Sequence, residues 1–129
     1  MIMGLKGKGK AHPLLGSFSY AATGIFTALL SERNMRIHLI SSIVVFLFSI
    51  YFSITKMEWM FILLAIGGMF SLELINTAIE RVVDLVTKEY HPLAKQAKDI
   101  AAGAVFVYAF LSVIIGSIIF IPYIIKLFK

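Results

Sequence analysis

The chain has 129 residues, 60% apolar and 15% charged, with a mean hydropathy of +0.93, whereas soluble domains run at about 45–50% apolar and about 25% charged. A single small domain cannot hide that much apolar surface from water, so a soluble enzyme is excluded, as are disorder and low complexity. Zero cysteines exclude disulfides, thiolate catalysis and cysteine-bound metals, three scattered histidines make no zinc-ligand spacing, and a net charge of +5 on so apolar a chain favours an anionic membrane face over nucleic acid.

Residues 1–13 read as a basic tail carrying Lys6, Lys8 and Lys10. Gly4 to Ala11 imitates the phosphate-binding pattern GxxxxGK[ST], yet it lacks the final hydroxyl and has no room for a preceding strand. A signal peptide does not fit, because the basic start runs into Tyr20, Thr23 and Thr27 instead of a compact apolar region. Residues 14–33 form an amphipathic helix: Leu14, Leu15, Phe18, Ala21, Ala22, Ile25, Phe26, Leu29 and Leu30 recur at helical spacing, with Ser17, Ser19, Tyr20, Thr23, Thr27 and Ser31 opposite. Such a helix suits the membrane surface, or packing on a bundle, or both.

Three transmembrane helices follow, at 36–55, 57–86 and 98–125. Leu39 to Thr55 is seventeen residues without a charge, at the short end of the roughly 17–25 that span a ~30 Å hydrocarbon layer. Trp59 to Leu72 is apolar for fourteen residues, so the second span has to continue into the polar ELINTAIERVVDLV. Ile100 to Ile125 is twenty-six uncharged residues with Pro122 near the end, a long or tilted last span. Gly67 and Ser71 in the second span, and Ala94, Ala97, Ala101 and Ala104 in the third, allow close helix approach. No internal repeat is visible. Lys6, Lys8, Lys10, Arg33, Arg36, Arg81, Lys88, Lys95 and Lys98 fall on one side, against Lys56, Lys126 and Lys129 on the other. The first set is therefore cytoplasmic, with the N-terminus inside, Thr55–Glu58 an external turn, 87–98 an internal loop and the C-terminus outside.

The second span carries the chemistry. Glu73, Asn76, Thr77, Glu80 and Asp84 fall within about 100° of one another on a helix, one polar stripe opposite apolar positions that only Arg81 interrupts. A charge at the bilayer centre costs about 2.5–3.5 kcal/mol, so membrane acids are functional candidates; the plain alternative, a solvated helix end, fits Asp84 better than Glu73. Counted inward from Met57, Glu73 is roughly 24 Å deep and Glu80 roughly 35 Å, so Glu73 is submerged and Glu80 reaches the cytoplasmic headgroups. The two lie about 10 Å apart along the axis, too far to share one small ion within a chain. A submerged carboxylate is placed to take a proton from a lipid hydroxyl, and one at the aqueous edge suits Mg2+, which uses one or two carboxylates plus substrate phosphates.

Two clusters share that level. Glu32 is placed to complete a metal site and to pair with Arg36 four residues on. Lys98 is placed to neutralise phosphate charge, and Asp99 to orient a basic or hydroxyl group. Neither the soluble-kinase signatures nor a GxSxG elbow occurs. The pattern is that of phosphoryl transfer from a cytosolic nucleotide to a membrane alcohol; a non-enzymatic membrane protein using the stripe for ion conduction or helix pairing is the reading of a different class.

The run ExxNTxxExxxD from Glu73 to Asp84, followed by Glu89-Tyr90-His91 and Ala97-Lys98-Asp99, with Glu32 and Arg36 upstream, resembles the small bacterial diacylglycerol kinase and undecaprenol kinase family over about residues 16–125. The resemblance implies an all-α integral membrane fold, a surface helix plus three spans, in the bacterial plasma membrane. It implies a homotrimer with composite sites between subunits, and phosphorylation of a lipid alcohol by ATP with Mg2+. It assigns Glu73 as catalytic base, Asn76 as a residue positioning the reacting groups, and Glu32 and Glu80 as metal ligands that also face the nucleotide. Tyr20, Glu89, Tyr90, His91, Lys98 and Asp99 match nucleotide-contacting positions, and Arg36 and Asp84 have substrate-binding or supporting places. Relatives carry basic residues in the surface helix, whereas no Lys or Arg lies between Lys10 and Arg33 here; Lys10 or His12 are the substitutes. The stretches ERNMRIHL and EYHPLAKQAKDIAAGAV look more like the Gram-positive undecaprenol kinases, which makes undecaprenol the expected substrate and diacylglycerol the alternative.

Overall fold

A computed structural model describes residues 14–129, all of it helix and short connections; the basic tail, with Lys10 and His12, lies outside the described residues. Helices α1 (Leu14–Ser31), α2 (Arg33–Tyr51), α3 (Lys56–Val86) and α4 (Pro92–Leu127) follow in order. All four are long and apolar enough to cross a membrane, α1 included, so composition does not by itself separate a surface helix from three spans. Large apolar side chains project outward along every helix, among them Leu15, Phe18, Leu47, Leu64, Phe106 and Ile118, as expected where lipid or other protein replaces water.

α3 and α4 form the main pair, α2 packs on α3, and α1 touches α2 and α3. The α3–α4 register is antiparallel and pinned at three levels. At one end the Tyr123 hydroxyl donates to Glu58 Oε2 at 2.7 Å, and at the other Lys98 Nζ meets Asp84 Oδ1 at 2.6 Å. Midway, the Tyr108 hydroxyl donates to the Leu64 carbonyl at 2.7 Å, with its ring lying where a Cβ on Gly68 would be. Gly68, not Gly67, is thus the close-approach glycine: a Cβ on Gly67 would meet nothing, and the Ser71 hydroxyl bonds back to the Gly67 carbonyl at 2.8 Å.

The helix ends follow local chemistry. The α2–α3 turn sits at 52–55, with Ser53 at φ 49, and Thr55 begins α3 through a capping box: Glu58 N–H donates to Thr55 Oγ1 at 3.2 Å and Thr55 N–H to Glu58 Oε2 at 2.8 Å. Glu58 therefore belongs to the helix and not to the external turn. Ile54, Ile62 and Ile119 close the core there, with Phe52, Trp59 and Tyr123 packed against them. α4 starts six residues before the expected 98, since Pro92 occupies the first turn and the His91 ring Nδ1 accepts from Leu93 N–H at 3.1 Å. With 31 and 36 residues, α3 and α4 measure about 46 and 54 Å, longer than the ~30 Å hydrocarbon layer. α2, with 19 residues, measures about 28 Å.

Candidate functional site

Three of the five stripe residues on α3 are buried, and Glu80 and Asp84 are half-buried. Glu73 is 2% exposed, Asn76 7% and Thr77 5%. Glu73 Oε2, Asn76 Oδ1 and Thr77 Oγ1 are buried without a hydrogen-bond partner. Each such atom costs about 1–3 kcal/mol when left unpaired. Three on one helix face leave polar capacity that the described residues of one chain do not fill. Asn76 Nδ2 donates a long bond to Glu80 Oε1 at 3.4 Å, so the half-buried Glu80 carboxylate is loosely held. Across from the stripe, His38 on α2 brings Nε2 to 3.5 Å from Glu73 Oε2, within ion-pair reach. His38 had no assigned role in the sequence. It stands two residues after Arg36, at the mouth of the uncharged run 39–55, where a lone histidine carries little signal.

Glu32 sits at the break between α1 and α2. It is the N-cap residue of α2, but its side chain makes no capping bond, and its Oε1 lies 3.7 Å from Arg81 Nη2. The expected Glu32–Arg36 pair is therefore replaced. Arg36 Nη1 instead donates to the carbonyls of Leu29 and Leu30 at 3.1 and 2.9 Å, closing the negative end of α1. Arg81, which the helix pattern leaves as an anomaly on an apolar face, also donates to Ser31 Oγ at 2.6 Å. It ties the α1 end to α3 one residue beyond Glu80. A groove of about 530 Å³ runs between α1 and α3, apolar apart from Thr23, Thr27, Thr77 and Arg81.

The third group gathers around the 87–91 connection. A cleft of about 360 Å³ is lined by Asp84, Lys88, Glu89, Tyr90, His91, Lys95, Lys98 and Asp99, among others. Within it Lys98 pairs with Asp84, and Lys95 Nζ meets Asp99 Oδ2 at 2.5 Å. Thr87 Oγ1 accepts from Glu89 N–H at 3.2 Å, which shapes the turn, and Tyr90 stands 80% exposed. Glu89, Tyr90, His91, Lys98 and Asp99 are thus brought together. Tyr20 is on α1, and neither it nor Glu32 and Glu80 line this cleft. Among the described residues, no three His, Asp or Glu side chains of one chain converge as a metal site.

A buried carboxylate on an apolar bundle, an apolar groove beside it and a cleft of paired lysines at the helix ends define a membrane enzyme working where lipid meets water. The family model described as prokaryotic diacylglycerol kinase matches residues 19–120. The undecaprenol kinase of Bacillus subtilis is 52% identical over 106 residues, covering 82% of this chain and 86% of that protein. The diacylglycerol kinase of Synechocystis is 41% identical over 113 residues, covering 87% of this chain and 65% of that protein. That of Haemophilus influenzae is 28% identical over 116 residues, covering 89% and 98%. The chain belongs to the prokaryotic diacylglycerol kinase family. It is accordingly a lipid kinase with ATP as co-substrate, and the non-enzymatic reading is set aside.

Proposed function

We propose that this chain phosphorylates undecaprenol, with Glu73 as the base that removes the proton from the lipid hydroxyl. The observation that carries the reading is the Glu73 carboxylate, buried to 2% exposure with Oε2 unbonded. In that position it can receive a hydroxyl from the membrane side without competing water. The groove between α1 and α3 supports entry of an isoprenoid or acyl chain, because its walls are apolar and Thr77 belongs both to the groove and to the stripe. Asn76, with Oδ1 unbonded, is suited to orient the hydroxyl or a phosphate oxygen.

The cleft at 87–91 supports a nucleotide: Lys98 and its neighbours counter phosphate charge, Tyr90 offers an aromatic face, and Glu89, His91 and Asp99 supply polar contacts. Tyr20 on α1 is a further nucleotide contact in this reading, while Arg36 and Asp84 act in support, Asp84 by holding Lys98 and Arg36 by fixing α1. Glu32 and Glu80 fit Mg2+, since both are hard oxygen donors held by long contacts, 3.7 Å to Arg81 and 3.4 Å to Asn76, and so remain available. When bound, the ion would neutralise charge on the transferring phosphoryl group.

The arrangement proposed is one membrane kinase domain over 1–129, with α1 on the cytoplasmic surface and α2, α3 and α4 spanning the plasma membrane. The N-terminus is then inside and the C-terminus outside, which agrees with the placement of basic residues. A homotrimer is the assembly that the family resemblance implies, and the outward apolar faces of α3 and α4 leave room for neighbouring subunits. The undecaprenol preference rests on the 52% identity to the Bacillus subtilis protein, and the diacylglycerol kinases among the relatives favour the second reading. Purified protein in detergent with labelled ATP, Mg2+ and each lipid in turn tests it. Faster transfer to undecaprenol is expected, faster transfer to diacylglycerol reverses the preference, and no transfer to either removes the proposal.

A further inference from the structure

We propose that His38 acts through Glu73, as a positioning residue that orients the carboxylate and as the outlet for the proton it collects. The inference rests on the assignment of Glu73 as base. His38 Nε2 lies 3.5 Å from Glu73 Oε2, the oxygen that has no hydrogen bond. A small movement on lipid binding closes that distance, so that once Glu73 holds the lipid proton its carboxyl donates to Nε2 and the imidazole fixes the carboxyl plane.

The ring has somewhere to send a proton. His38 also lines a recess of about 130 Å³ between α2, α3 and α4, with Ser41, Ser42 and Ser112 among its walls. The recess is otherwise walled by apolar side chains such as Val45, Ile62 and Met69, but its serines and the imidazole offer a water the two or more polar partners it needs, in more room than one probe sphere takes. The charged group facing His38 is Glu73 on α3. α4 presents Ser112 and Gly116 to the recess, no described α1 residue lines it, and Arg36 on α2 is turned to the carbonyls of Leu29 and Leu30.

The step balances without a further reactant. The lipid O–H bond breaks as its oxygen bonds the γ-phosphorus of ATP and ADP departs. The proton passes to Glu73 and then to Nε2 of the neutral imidazole, while the other ring nitrogen gives its proton to water in the recess, which hands it on to bulk solvent. Exchange of ring protons with further water, with no net gain or loss, resets the tautomer.

His38→Ala is expected to lower kcat about 100-fold, the lower edge of what a positioned proton acceptor contributes, with KM for ATP unchanged. Added imidazole is expected to restore kcat at least about tenfold in His38→Ala and to leave His38→Gln unchanged, because the amide fills the site; His38→Gln also changes the kcat–pH profile, while the limb that Glu73 itself imposes as base remains. Should His38→Ala fail to fold, as judged by nucleotide binding, His38→Gln carries the kcat and pH readouts alone. Wild-type kcat in the variants overturns the proposal. So does a loss of kcat with neither imidazole rescue nor a changed pH profile, since that is a structural role. Glu73→Gln run alongside separates the two claims: a dead Glu73→Gln with an active His38→Gln refutes the outlet alone, whereas an active Glu73→Gln refutes the base.

Discussion

Gly68→Ala tests the helix packing that places the site. A Cβ at residue 68 would run into the Tyr108 hydroxyl oxygen and Cζ, far inside van der Waals contact, so the ring has to swing away. That overpacking costs about 1–3 kcal/mol. It also breaks the Tyr108–Leu64 bond of 2.7 Å, and inter-helix bonds in membranes average about 0.6 kcal/mol. The two together give roughly 2–4 kcal/mol, on the order of a hundredfold in the folding equilibrium. Equilibrium unfolding in mixed detergent micelles measures it, in a cycle of Gly68→Ala, Tyr108→Ala and the double variant. The cycle should show a coupling of about 1–3 kcal/mol between residues 68 and 108, and none between 67 and 108, because a Cβ on Gly67 meets nothing within 4 Å. Equal coupling at both glycines, or none at Gly68, refutes the packing.

Other expectations concern the site. Lys98→Ala should raise KM for ATP about tenfold or more with a smaller effect on lipid KM, since it removes a phosphate-countering charge and leaves Asp84 unpaired in the cleft; steady-state kinetics with each substrate varied checks this. Glu32→Gln and Glu80→Gln should each shift the Mg2+ titration of activity to higher concentration, and unchanged titrations refute their assignment. Arg81→Ala should loosen the end of α1 by removing its contacts to Ser31 and Glu32. Faster amide exchange at 28–32 than in wild type is the readout, and unchanged exchange contradicts the tie.

What the sequence made legible was periodic or compositional. The burial of Glu73, Asn76 and Thr77 on one face of α3 follows from spacing alone, because helix geometry fixes angular position. The clustering of Glu89, Tyr90, His91, Lys98 and Asp99 follows from their nearness in the chain. Contacts between helices were not legible in that way. His38 and Glu73 meet across α2 and α3, and no local pattern encodes which face of one helix meets which face of another. The partner of Arg36 was misread for a related reason: the i, i+4 rule offers Glu32 to Arg36, but unsatisfied carbonyls at the end of α1 compete for the same guanidinium. The early start of α4 was readable in His91-Pro92, an N-cap followed by proline, yet it lay inside a polar stretch that resembles a loop.

The most direct test of the central claim is turnover by Glu73→Gln, with labelled ATP, Mg2+ and undecaprenol, measured beside nucleotide binding. The substitution keeps size and polarity at a position 2% exposed and removes the basic oxygen. The account predicts wild-type nucleotide affinity with kcat reduced by about 100-fold or more, as loss of a general base requires. Turnover at the wild-type rate with binding intact would contradict it.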